Sequence, residues 1–323
     1  MSPEKPSGDI FFKTSMKPVL TILGPTACGK TQLAAETAYR LGGEVISADS
    51  RQVFRGMDIG TGKDLEDYYI HNTQVPYHLI DICEPGYEYS AGEFCRNFWQ
   101  VYDNLQKKGK VPVLCGGTGF YIESALMQYP FSFVPENAEL RKKLQTQTDE
   151  QLTQLLQTYI KLHNHTDTES RDRLIRAIEI QDYQKHHPAT KRADLQSVIF
   201  GITYPREVVM QRIYQRLVQR LQSGMIEEVQ ALLDRGITPE RLIRYGLEYR
   251  YVTLFLQKQI SYDQMVEQLN IAIRQFAKRQ MTWFRRMERN GIDIIWIDHS
   301  ISFEEKIEFI INNYTKSLTD NEM

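Results

Sequence analysis

The sequence predicts an α/β protein in which a parallel sheet flanked by helices is interrupted by an all-helical insertion. Three features carry that expectation. Short apolar runs ending in glycine or polar residues alternate with helically periodic segments, the pattern of strand–helix–strand units. The first of these runs passes directly into a glycine-rich loop and then a helix. From about Pro135 the apolar runs stop, and charged, glutamine-rich, helically periodic sequence takes over.

Residues 1–17 are mixed and polar and read as a flexible tail. VLTILG (19–24) has the apolar run of a buried strand, and TQLAAETAYRL after the loop has the spacing of a helix. EVISADS (44–50), HLIDICE (78–84) and VPVLCGG (111–117) repeat the strand theme, with a helix from Ala91 to Lys108 before the last. Residues 18–134 are thus the first part of the core. Residues 135–197 form the insertion, with helices in ELRKKLQTQTDEQLTQLLQTYIKLHNH and RDRLIRAIEIQDYQKHH. VIFGITYP (198–205) returns to the sheet, long helices fill about 206–289, and IDIIWID (292–298) is the final strand, so 198–323 is the second part of the core. The stretch 301–323 carries five Asp/Glu against two Lys/Arg and reads as a solvated terminal helix.

With 323 residues, 41% apolar and 25% charged, the composition is that of a globular protein and excludes disordered, collagen-like and fibrous classes. A formal net charge of −2 excludes a globally basic nucleic-acid binder, though not a local basic face. Cys28, Cys83, Cys95 and Cys115 contain no C-x-x-C pair, which argues against a zinc ribbon or disulfide scaffold. No stretch approaches ~18 uninterrupted apolar residues, and the N-terminus lacks a signal-peptide core. The expectation is a cytoplasmic protein with no membrane partner, monomeric.

The strongest chemical signal is Gly24-Pro25-Thr26-Ala27-Cys28-Gly29-Lys30-Thr31, a full G-x-x-x-x-G-K-[ST] match between a strand and a helix. Such a P-loop turns successive backbone N–H groups toward phosphate oxygens. Lys30 adds a point charge, and the Thr31 hydroxyl is the expected Mg²⁺ ligand. The core is therefore expected to be P-loop NTPase-like. Cys28 has two readings, a thiol made reactive by the helix N-terminus or simply a small residue that fits; the second is preferred. Asp49, at the end of the next strand, faces the loop across a parallel sheet. It is a candidate to bond a nucleophile or take its proton, the alternatives being a magnesium ligand acting through water or a helix cap. In Gly116-Gly117-Thr118-Gly119, glycines and Thr118 stand where a motor ATPase would carry a magnesium-binding Asp, which weakens that reading. The string suits either the close approach of a flat ring or a tight turn. Residues 206–289 hold fifteen Lys/Arg against nine Asp/Glu, and Arg274, Lys278, Arg285 and Arg289 can share one helix face, with Gln275, Phe276, Trp283 and Phe284 among them. That is either a phosphate-tracking surface or a solvated basic face over a core. Arg171, Arg173 and Arg176 form a smaller cluster.

Taken together, GPTACGKT, ISADSRQVFRGMDIGTGK, YHLIDICEP, YSAGEF, VPVLCGGTGFY, RDRLIRAIEI and AKRQMTWFR, in that order, resemble the tRNA dimethylallyltransferase (tRNA isopentenyltransferase) family of bacterial type over about four-fifths of the chain. The resemblance implies transfer of a dimethylallyl group from its diphosphate to N6 of adenine 37, beside the anticodon, in tRNAs reading codons that begin with U. It implies that Lys30 and Mg²⁺ on Thr31 neutralise the departing diphosphate, with Thr26 a further contact. Asp49 would accept the amine hydrogen bond or proton, and Thr118 would orient the amine. Ser50, Arg51 and Gln52 would meet the flipped base and its neighbours. By the same carry-over, Arg173, Arg176, Lys278, Arg279 and Gln280 are candidate contacts to tRNA or diphosphate. Three departures stand out. Glu248 occupies the place of a family glycine in Tyr245-Gly-Leu-Glu-Tyr-Arg250, leaving Arg244 and Arg250 as candidates there; GTGKD replaces GTAKP; and Cys28 replaces a common serine.

Three other readings remain open at this stage: a P-loop kinase of nucleotides or small molecules, an isopentenyltransferase acting on free adenine nucleotides, and a non-catalytic RNA-binding protein.

Overall fold

The computed structural model describes residues 16–127, 134, 136–160, 170–187 and 195–320. The expected tail lies outside these except at its end, where the Lys17 N–H donates to Gln106 Oε1 at 2.9 Å. In chain order the elements are β1 (Val19–Leu23), α1 (Lys30–Leu41) and β2 (Glu44–Ala48), then a 3₁₀ turn (Leu65–Tyr68), β3 (Tyr69–Ile70), β4 (Thr73–Gln74) and β5 (Tyr77–His78). They continue with α2 (Ala91–Lys107), β6 (Pro112–Gly116), α3 (Gly119–Leu126), α4 (Ala138–Gln145), α5 (Asp149–Tyr159), α6 (Arg171–His186) and β7 (Ser197–Ile202). The last part holds α7 (Arg206–Gln222), α8 (Met225–Asp234), α9 (Pro239–Tyr245), α10 (Leu247–Leu256), α11 (Tyr262–Arg289), β8 (Ile295–Ile297) and α12 (Phe303–Asp320).

Six strands pair in parallel in the order β5-β2-β6-β1-β7-β8. Every residue of β1, β2 and β6 is buried, which is why these strands read as continuous apolar runs: a parallel sheet is covered on both faces. One face packs against α1 and α12, and the other against α2, α3 and the end of α11. A third apolar cluster joins α7 to α11 and closes over the carboxyl ends of the strands. Capping boxes fix the starts of α2 (Ser90 with Glu93), α5 (Thr148 with Gln151) and α11 (Ser261 with Gln264).

The expected parallel α/β core is present, and three details differ. HLIDICE pairs as a strand only as far as His78, because Leu79 and Asp81 have positive φ and the segment turns off the sheet. There the Asp81 carboxylate meets the buried Lys63 ammonium, and the Ile82 and Cys83 N–H groups both donate to the Val53 carbonyl. The terminal helix α12 is not simply solvated. Ile307, Ile310 and Tyr314 are fully buried in the sheet core, so its acidic residues are one face of an amphipathic helix. The hairpin β3–β4 has no clear periodic signal, being two residues per strand.

Helices α4, α5 and α6 pack on one another around their own small core of Leu144, Leu152, Leu156, Leu174, Ile175 and Ile178. Buried Glu179 organises it, accepting from Arg141 at 3.0 Å and from Arg176. Burial works against the Glu179 charge, but its bonds from Arg141, Asn137 and Arg176 hold its pKa below the usual range.

Candidate active site

The P-loop leaves β1 at Gly24 and enters α1 at Gly29, whose φ of +78° strongly favours glycine. Cys28 lies beneath the loop, almost wholly buried, with its sulfur so near Gly24 that a Cβ on Gly24 would meet it; the packing reading of Cys28 is the one the surroundings favour. Lys30 Nζ lies 3.2 Å from the Pro25 carbonyl, curled over the loop. The carboxyl ends of β2 and β6 adjoin it. Gly116 packs against the Ala48 backbone, the Thr118 N–H donates to the Ala48 carbonyl at 3.2 Å, and Thr118 Oγ1 accepts the Ser50 N–H at 3.2 Å. Asp49 therefore stands on a loop bonded to Thr118, and its Oδ1 accepts the Arg51 N–H at 2.9 Å.

The P-loop and Asp49 open on a cavity of about 620 Å³. Opposite the P-loop, α7 presents Arg212, Arg216 and Arg220, four residues apart and so on one helix face. Arg216 Nε and Arg220 Nη2 are buried with no hydrogen-bond partner among the described residues. Burial, and then the neighbouring Arg216, push the Arg220 pKa down to about 10, so it remains a cation at neutral pH. Gly62, with φ of +67°, makes room for this pair, because a Cβ there would overlap both guanidinium groups. Glu228 holds the same loop by accepting the N–H groups of Asp58, Ile59 and Gly60. A P-loop facing buried guanidinium N–H groups without hydrogen-bond partners is chemically suited to anionic oxygens such as those of phosphates. The α7 arginines were not singled out in the sequence, although the four-residue spacing in RIYQRLVQR was the available signal.

A second cavity of about 420 Å³ lies beside the first, lined by Ser50, Thr118, Phe120, Arg244, Arg250 and Trp283 among others. Arg51, Phe276 and Gln280 border both cavities. Arg51 lies 5.2 Å from the Phe276 ring centre and bonds Glu248 at 2.9 Å. Burial opposes its charge, but Glu248, Asp49 and Tyr249 together raise its pKa.

The sequence candidates divide clearly. Thr26, Lys30, Thr31, Asp49, Arg51, Gln52 and Gln280 line the first cavity, and Ser50, Thr118, Arg244, Arg250 and Arg279 the second. Gln280 is buried, with its amide clamped between loops: Oε1 accepts the Thr26 N–H and Nε2 donates to the Gly117 carbonyl, each at 2.8 Å. The Gln52 amide is likewise held, accepting from Ser47 and donating to the Gly62 carbonyl. Arg171 binds the carbonyls of Gln145 and Gln147, and Arg176 binds Glu179 and the Val134 carbonyl, so both serve the insertion's own fold. Arg173 is exposed on the same helix. On α11, Lys278, Arg279, Arg285 and Arg289 are exposed and Arg274 is half-buried. Phe284 belongs to the core, while Trp283 donates to buried Glu123 at 2.8 Å and forms a wall of the second cavity. The close approach that Gly117 and Gly119 permit is to Gln280 and Trp283 of the protein itself.

The profile of the IPP transferase family matches residues 52–287. The chain belongs to this family. Among related IPP transferases, the tRNA dimethylallyltransferase 2 of Phocaeicola vulgatus is 55% identical over 296 residues, which is 91% of this chain and 96% of that one. The tRNA dimethylallyltransferase 1 of Parabacteroides distasonis is 51% identical over 300 residues, 91% of this chain and 98% of its own. The solved tRNA isopentenylpyrophosphate transferase of Bacillus halodurans is 30% identical and covers 95% of this chain and 100% of its own, with a TM-score of 0.68. A eukaryotic dimethylallyltransferase acting on tRNA, 21% identical, shares the fold with a TM-score of 0.70 over 87% of this chain and 74% of its own.

Among the described residues no cluster of three or more His, Cys, Asp or Glu side chains is placed to hold a metal ion, and no helix is long and apolar enough to cross a membrane. Magnesium needs no such cluster, since it binds through one or two protein oxygens together with substrate phosphates and water. The Thr31 hydroxyl lines the cavity that also holds Lys30 and Asp67.

Proposed function

We propose that this IPP transferase moves a dimethylallyl group from dimethylallyl diphosphate to N6 of adenine 37 in tRNAs reading codons that begin with U. One observation carries the reading: the P-loop cavity and a second cavity share a wall, with Asp49 and Thr118 on adjacent loops beside it. The diphosphate occupies the P-loop, Lys30, Arg216 and Arg220. The base enters from the side of Thr118 and Trp283. The N6 lone pair forms the bond to the allylic C1 while the C1–O bond breaks, its electron pair leaving with diphosphate, and the N6 proton passes to an Asp49 oxygen. Thr118 holds the Asp49 loop and orients the amine. A magnesium ion on Thr31 would supply further neutralisation of the diphosphate as charge grows on it. Flipping the adenine out of its stack lets it reach a site inside the protein. The exposed Lys278 and Arg279, with Arg244 and Arg250 at the second cavity, suit the phosphates of an anticodon stem-loop, and Arg173 on the insertion suits a more distant part of the tRNA.

The test is incubation with Mg²⁺, dimethylallyl diphosphate and unmodified tRNA carrying adenines 36 to 38, followed by nucleoside mass analysis. N6-isopentenyladenosine is expected. Product on AMP but not on tRNA would instead identify a free-nucleotide enzyme, and ATP turnover without prenyl transfer would identify a kinase.

A further inference from the structure

Glu248 lies in the first turn of α10, buried, between two guanidinium groups: Arg51 at 2.9 Å and Arg220 at 3.9 Å. Arg51 is also 3.8 Å from Asp49 through its Nε, so two carboxylates compete for one guanidinium on the wall shared by the two cavities. The joint between α9 and α10 is shaped to this arrangement. A Cβ at Gly246 would press on the Arg51 stem at 2.9 Å, and Gly246 has φ of +156°. The next residue after Glu248, Tyr249, is fully buried and donates to Glu228 at 2.7 Å, which anchors the helix start.

We propose that Glu248 is a positioning residue that draws the Arg51 guanidinium away from Asp49, leaving the Asp49 oxygens available to the substrate amine. The inference rests on the assignment of Asp49 as proton acceptor. Without the Glu248 carboxylate, Arg51 has Asp49 as the nearest remaining acid, and a charge-assisted contact between them occupies the oxygens that the amine proton needs. Arg220 loses its Glu248 contact as well, but keeps Asp64, whose carboxylate lies at the same 3.9 Å, so the effect belongs to turnover rather than to diphosphate binding.

The experiment compares full-length wild type, Glu248→Gln, Glu248→Asp and Asp49→Asn by steady-state kinetics with dimethylallyl diphosphate and tRNA, with thermal melting of each. Glu248→Gln is expected to lower kcat by about 10- to 100-fold, in the range of lost acid/base assistance, while KM for the diphosphate changes little and Glu248→Asp recovers most of the rate. Wild-type kcat in Glu248→Gln overturns the inference. So does a loss confined to KM for the diphosphate, which would assign Glu248 to the α7 arginines, or an Asp variant as impaired and as unstable as the Gln variant, which would assign it to the fold. If Glu248→Gln does not fold, Glu248→Asp decides, since it keeps the buried charge paired with Arg51: a kcat within about tenfold of wild type with KM for the diphosphate unchanged supports the inference, and a larger loss of kcat, or a loss confined to KM, overturns it. Near-normal turnover in Asp49→Asn would remove the Asp49 assignment and this inference with it. An inactive Asp49→Asn beside a normal Glu248→Gln would remove this inference alone.

Discussion

At the scale of single residues, the site separates groups that do chemistry from groups that hold them. Asp49 is presented by a loop whose neighbours, Ser50 and Gln52, are tied to Thr118, Ser47 and Gly62. Asp49→Ala is expected to lower turnover by roughly 10² to 10⁴ while tRNA affinity measured by filter binding stays near wild type; near-normal turnover would place the proton acceptor elsewhere. Asp67 gives a separate prediction. Burial, and secondarily Asp64, push its carboxyl pKa up to about 6, with Arg216 opposing. The folded protein thus holds this proton more tightly than the unfolded chain, so stability falls as pH rises between about 4 and about 6. Asp67→Asn should stabilise the protein above that window by about 1 kcal/mol, reduced from the full shift because the group is partly exposed, and change nothing below it. Urea unfolding at acid and neutral pH checks the sign.

At the scale of elements, α11 has three faces with different duties. Its buried side places Phe284 and Met287 in the core, its junction with the sheet carries the Gln280 clamp, and its exposed side carries Lys278, Arg279, Arg285 and Arg289. Lys278→Ala with Arg279→Ala should weaken tRNA binding and reduce the steepness of its salt dependence by about two phosphate contacts. An unchanged slope would mean that these side chains do not meet the backbone. Helix α7 shows the same economy of position, since Arg216 and Arg220 reach the P-loop cavity through the space that Gly62 leaves for them.

At the scale of the whole molecule, the insertion has a core of its own, separate from the three clusters around the sheet. Leu152→Ala, at a fully buried position in that core, should cost about 2–5 kcal/mol of local stability. tRNA affinity should fall with it, whereas binding of dimethylallyl diphosphate, read by calorimetry, should be unchanged. Loss of diphosphate binding would show that the insertion supports the core directly.

The sheet strands, the P-loop and the helical insertion are legible in the amino-acid string, because each is written in local spacing: continuous apolar runs for strands buried on both faces, glycines where a loop turns tightly, and helical periodicity elsewhere. The string also marked Asp49 and Thr118, since the ends of adjacent parallel strands must fall together. Tertiary structure alone decided the rest. Arg216 and Arg220 sit nearly two hundred residues after the P-loop they face, and Glu248 meets Arg51 across a similar span, so no local pattern pairs them. Nor does any local pattern separate Gln280, clamped and buried, from Lys278 and Arg279 beside it in the same string, exposed to solvent. That difference follows from which side of α11 faces the sheet, and burial is a property of the packed molecule, not of the string.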